Sequence, residues 1–230
     1  MRPKISAALT LASLLIAAAA LAAQSKPVPY PHRAPVAQYL MPRAAEIALA
    51  RSAAPASVSG AATVLVLSRH GYETAAQGTN GFVCYVERSW MSPFHSPDFW
   101  NPKIRGANCV NPAAGRSVLP YAALRTRLVL AGLSQTQVLA RLKAAIAAHQ
   151  LPPLEPGAMA FMMSRHSYLG GGGSHDLAHL MFYTPVINPQ TWGANLPGSP
   201  VGMLGQLAPA PIEIYIVPTR RWSDGTPASL

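Results

Sequence analysis

The chain has 230 residues, half of them hydrophobic and only 11% charged, with a formal net charge of +10. Its 18 cations are scattered, Arg125 with Arg127 and Arg220 with Arg221 being the closest groupings, so no basic block interleaved with aromatics offers a nucleic-acid surface and no nucleic-acid partner is expected. What the charge does allow is weak contact with anionic cell-envelope polymers.

Arg2 and Lys4 precede an apolar run from Ile5 to Leu21 that is broken only by Ser6, Thr10 and Ser13. Ala20-Leu21-Ala22 then supplies a small-x-small cleavage pattern, so residues 1–23 read as a signal peptide and the mature protein as periplasmic or secreted. An uncleaved anchor is the alternative, since ~17 apolar residues just span a bilayer. Cleavage would leave no transmembrane segment. Removing residues 1–23 takes away two cations and leaves +8 on 207 residues, enough chain for one domain with its own core.

Pro27, Pro29, Pro31 and Pro35 make residues 24–41 an extended N-terminal arm, and residues 42–230 read as a single α+β domain. A helix is predicted from Pro42 to Ser52, with Ala44, Ile47, Ala48 and Arg51 on its half-buried face. The apolar run Thr63 to Leu67 predicts a buried strand, and Asn80-Gly81 a hairpin turn. After it Phe82, Cys84 and Val86 alternate with Val83, Tyr85 and Glu87 as strand faces do.

From Met91 to Pro120, Pro93, Pro97, Pro102, Pro112 and Pro120 argue against helix and central strand. Phe94, Phe99 and Trp100 argue against disorder, so this stretch reads as a packed loop. The only cysteines, Cys84 and Cys109, are expected to form a disulfide that pins it. Ser134 and Gln137 form a capping box for a helix reaching Ala148, with Val138, Leu139, Leu142, Ala145 and Ile146 as its buried stripe. Strands follow at 158–164, 178–184 and 212–217, and the glycines at 170–173 read as a flexible hairpin tip. Helices are too few for a doubly wound sheet. The expectation is a mostly antiparallel sheet of about five strands covered by two or three helices.

Candidate chemistry is confined to a few residues. His175 and His179, four apart, could share a divalent metal such as zinc if the glycine loop folds back, with His70 as a third ligand. His166, Glu73 and Glu87 are further donors. The sequence has no Gly-x-Ser-x-Gly elbow, Walker loop or His-Glu-x-x-His. An exported binding or envelope-associated domain with a His-based polar site is therefore the first reading. A metal-dependent hydrolase using His70, His175 and His179 is the second.

Ser68-Arg69-His70-Gly71 resembles the Arg-His-Gly signature of histidine phosphatases. That short likeness implies His70 as the phosphorylated nucleophile, Arg69 on the phosphate and Asp176 as proton donor, hence a phosphomonoesterase. The longer runs 68–74, 81–94 and 192–200 resemble a family of exported bacterial proteins of uncharacterised activity. That resemblance implies one domain and carries no site.

Overall fold

Eight strands, rather than about five, form a single sheet in the computed structural model, which describes residues 29–170 and 177–229. The expected signal peptide at residues 1–23 lies outside the described residues, and among those described no helix is long and apolar enough to cross a membrane. The strands are β1 (Thr63–Ser68), β2 (Gly71–Ala76), β3 (Val83–Glu87), β4 (Gly106–Val110), β5 (Met159–Met162), β6 (His179–Pro185), β7 (Gly202–Gln206) and β8 (Ile212–Pro218). Their spatial order is β2-β1-β3-β4-β5-β6-β8-β7. Among the described residues five α-helices, not two or three, accompany them: α1 (Arg43–Arg51), α2 (Ala56–Ser59), α3 (Pro112–Ser117), α4 (Leu119–Leu130) and α5 (Gln135–Ala147). The class is α+β. The sheet is mixed, because β1 and β3 run parallel while the other pairings are antiparallel.

The Asn80-Gly81 signal marks a turn, with Asn80 Oδ1 accepting from the Phe82 amide at 3.1 Å and Gly81 at φ 77°. It is not a hairpin apex. β2 has already folded back on β1 through Arg69-His70, with Ser68 opposite Gly71, so β3 joins the other side of β1 and does so in parallel.

The stretch 91–120 departs most from expectation. Pro102 and Pro112 flank β4 instead of interrupting it, so a strand buried at every position runs between β3 and β5. Pro112 and Pro120 sit in the first turns of α3 and α4, where a missing amide costs no hydrogen bond. Asn111 caps α3 by accepting from the Ala114 amide. Cys84–Cys109 is formed, and it bridges directly opposed residues of β3 and β4 instead of pinning a loop. With a sequence separation of 25, it would contribute about 3 kcal/mol in the chain-entropy model. The aromatics do pack: Phe99 lies 5.4 Å from Phe94 and 4.6 Å from Trp100, ring centre to ring centre.

Alternation along the strands divides the core in two. Cys84, Val86, Ala107 and Cys109 face α1 and α2, where Ala50, Ala53, Ala54 and Val64 join them. The buried face of α1 is Glu46 and Ala50 rather than Ala44 and Ala48, which are exposed. Tyr85, Val110, Ala160, Met162, Met181 and Tyr183 belong to the larger cluster on the opposite face, with helices α3 to α5. α4 packs against β2 and the short 3-10 helix Ser89–Met91, and α5 packs on α4. The Ser134 capping box is present as expected, with Val138, Leu142 and Ala145 buried. Tyr39, near the end of the N-terminal arm, is buried and donates its hydroxyl to the Trp100 carbonyl at 2.9 Å.

Candidate ligand-binding cavity

A cavity of about 450 Å³ lies on the face of the sheet that carries α3 to α5. Its floor is made by alternate residues of the strands: Tyr85 and Glu87 on β3, Met162 on β5, Met181 and Tyr183 on β6, and Ile214 on β8. Ala122 and Arg125 of α4 line it from above. The segment 91–98 and the corner 204–208, which leads from β7 toward β8, complete the wall. Pro93, Pro97, Leu204 and Gln206 of these two segments are exposed, which places the mouth between them. Tyr121 of α4 holds the second segment by donating its hydroxyl to the Ala208 carbonyl at 2.6 Å.

One end of the floor is polar. Glu87 Oε1 accepts from the Tyr85 hydroxyl at 3.0 Å and from Asn108 Nδ2 at 2.8 Å. Asn108 sits opposite Tyr85 in the β3–β4 ladder, and its own Oδ1 is buried without a hydrogen-bond partner. Tyr183 reaches the same group, its phenol lying beside Asn108 and in the field of Glu87. Burial pushes the Glu87 carboxyl above the ordinary Glu value, although Asn108, Tyr85 and the charge of Arg125 each pull the other way. Burial likewise pushes the Tyr85 and Tyr183 phenols up, so both stay protonated donors.

Arg125 is 1% exposed. Its Nη2 donates to the Ser92 carbonyl at 2.7 Å, its guanidinium carbon lies 4.1 Å from the Phe94 ring centre, and its Nε is buried without a partner. Burial lowers its pKa to about 10, which leaves it a cation at neutral pH. It makes no ion pair within 4.0 Å with Glu87 or any other described carboxylate. The second cation lining the cavity is already committed: Arg88 donates to Glu46 Oε1 at 2.7 Å, to Tyr39 O at 2.7 Å and to Val86 O at 2.6 Å. An unpaired guanidinium beside an apolar cavity favours an anion, and the Met and Ile floor favours hydrocarbon.

The residues singled out from sequence are spread across the molecule. His179 does line the cavity, with Nδ1 2.8 Å from the Leu177 carbonyl. His175 and Asp176 lie outside the described residues. Arg69 and His70 form the exposed β1–β2 turn, and Glu73 on β2 pairs with Arg43 at 3.0 Å near the surface. β1 and β6 are four strand spacings apart, roughly 19 Å at about 4.8 Å each, so His70 and His179 are not brought together. Among the described residues no group of three His, Cys, Asp or Glu could hold a metal ion. Sequence reasoning passed over Arg125, Tyr85 and Tyr183. The signal available was the alternation that turns Tyr85 and Glu87 away from Cys84, which set an acid on an inner strand face. No protein-family model, curated protein or solved structure matches the chain.

Glu87→Gln should reveal the cost of the buried carboxyl. A raised native pKa means the folded state holds a proton that the unfolded state has released, so stability falls as pH rises from the ordinary Glu range through the native value. Glutamine keeps an acceptor for Tyr85 and Asn108 and removes that slope. Urea unfolding between about pH 4 and 8 should show a shallower decline with rising pH in Glu87→Gln than in the wild type. Identical profiles would show that Glu87 ionises freely.

Proposed function

We propose that the chain is an exported binding domain whose cavity holds a small organic molecule. The observation that carries this reading is the cavity itself. Its volume of about 450 Å³ falls in the range of ligand pockets, roughly 300–1,000 Å³, and it combines apolar walls with a few convergent polar groups. The signal-like leader supports export, and the dispersed positive charge supports weak additional contact with anionic envelope polymers. The metal-dependent hydrolase reading rests on His70, His175 and His179 and the phosphomonoesterase reading on His70 and Asp176; of these His179 lines the cavity, His70 lies on the exposed β1–β2 turn, and His175 and Asp176 lie outside the described residues.

The test is a thermal-shift screen of small organic molecules against the wild type and Ala122→Phe. Ala122 is 1% exposed and lines the cavity, so a phenyl ring there would occupy ligand space. A ligand at 100 times its Kd stabilises the native state by about 2.7 kcal/mol, enough to raise Tm by several degrees. The expected result is at least one compound that raises the wild-type Tm and has no effect on Ala122→Phe. Compounds that shift both proteins equally, or a screen without any shift, would count against the cavity as a binding site.

A further inference from the structure

We propose that the ligand is an elongated amphiphilic carboxylate whose anionic head pairs with Arg125 and whose hydrocarbon tail lies across the strands toward β8. This rests on the cavity being a ligand site and adds the chemistry of what it takes. The head position follows from Arg125, which is buried, keeps an unpartnered Nε, and meets no described carboxylate within 4.0 Å. Two carboxyl groups share the wall. Glu87 is held toward its neutral form by burial and is engaged by Tyr85 and Asn108, and Asp98 accepts from Asn101 Nδ2 at 2.9 Å. Neither satisfies the guanidinium. A ligand carboxylate would supply the missing acceptor through a charge-assisted contact.

The tail position follows from the sheet. The polar group centres on Tyr85, Glu87 and Asn108 of β3 and β4, with the Tyr183 phenol reaching it from β6, whereas Met181, Ile214 and Leu207 provide apolar wall at the β6–β8 end. From β3 to β8 is four strand spacings, about 19 Å at roughly 4.8 Å each, so the lining side chains at the two ends are far enough apart for an extended chain to touch both. A volume of about 450 Å³ lies toward the small end of the range for ligand pockets, roughly 300–1,000 Å³, which suits a medium-chain fatty acid better than a long-chain one.

The experiment titrates decanoate, decanol and decylammonium into the wild type, Arg125→Met, Arg125→Lys and Ala122→Phe by calorimetry. The wild type should bind decanoate about tenfold or more tightly than decanol, and decylammonium least. Arg125→Met should equalise decanoate and decanol. Arg125→Lys, which keeps the charge and guards against a folding defect in the methionine variant, should retain a preference for decanoate. Ala122→Phe should weaken all three. Equal wild-type affinities for decanoate and decanol, with both lost in Ala122→Phe, would overturn the carboxylate assignment while leaving the cavity as a ligand site. A preference for decanoate that survives Arg125→Met would overturn the role of Arg125. Binding of none of the three, or binding unaffected by Ala122→Phe, would overturn this proposal together with the cavity reading.

Discussion

Arg88→Met is expected to destabilise the protein by about 3–5 kcal/mol, because it strands a buried carboxylate. Arg88 and Glu46 are both essentially inaccessible, and their ion pair measures 2.7 Å. The guanidinium also ties three separate parts of the chain, through the Tyr39 carbonyl in the N-terminal arm, the Val86 carbonyl on β3 and Glu46 on α1. Glu46 Oε1 additionally accepts from the Leu67 amide on β1 at 3.0 Å, while Oε2 has no partner. Without Arg88 the carboxylate keeps a single amide for company. The double variant Arg88→Met/Glu46→Leu should therefore lose less stability than the sum of the two single changes. Chemical unfolding of all three variants measures this directly. Additive losses would mean that the pair is not energetically coupled.

Trp90→Ala should cost a similar amount, about 3–5 kcal/mol, by emptying a site in the main core. Trp90 has no exposed surface, its ring centre lies 5.0 Å from that of Tyr39, and Nε1 donates to Thr126 Oγ1 of α4 at 3.0 Å. It thus joins the end of β3 to both the arm and the helix that covers the cavity. Trp90→Phe keeps most of the apolar volume and loses the hydrogen bond, so its loss should be clearly smaller. Urea unfolding should rank the wild type above Trp90→Phe, and Trp90→Phe above Trp90→Ala. Equal stabilities for the two variants would place the energy in the hydrogen bond instead of the packing.

The parts of the fold that were legible in sequence are those whose signal is local. β1, β3, β5, β6 and β8 announce themselves as apolar or alternating runs, and α5 by its reciprocal Ser134–Gln137 cap. β4 was hidden because Gly106-Ala107-Asn108-Cys109-Val110 is built of small and polar residues between prolines, and its place at the centre of the sheet depends on partners remote in sequence. β2 is an edge strand of mainly small residues with Glu73 and Thr74 exposed, so it carries no apolar run, and β7 is short, carries Gly202 and Gly205, and shifts register between Met203 and Gly205. α4 is apolar around much of its circumference, so periodicity does not single it out, and Pro120 reads as a breaker although it sits in the first turn. The candidate site follows the same logic. Glu87 could be placed on an inner strand face from alternation alone. Arg125 becomes a candidate only once α4 is docked over the sheet and the acceptors around it are counted. His179, a candidate metal donor in the sequence, lines the cavity as part of the β6 floor, while His70 and Glu73 stay at the surface by the β1–β2 edge.

The most direct test of the cavity as a ligand site is NMR of protein labelled at the methionine methyls and titrated with decanoate. Met162 and Met181 lie on the floor and Met91 on the wall, whereas Met41, Met159 and Met203 do not line the cavity. Saturable shifts at Met91, Met162 and Met181, with Met41, Met159 and Met203 unmoved, are the result expected if the cavity receives the ligand. Shifts confined to the second set, or no saturable shift at any methyl, would contradict it.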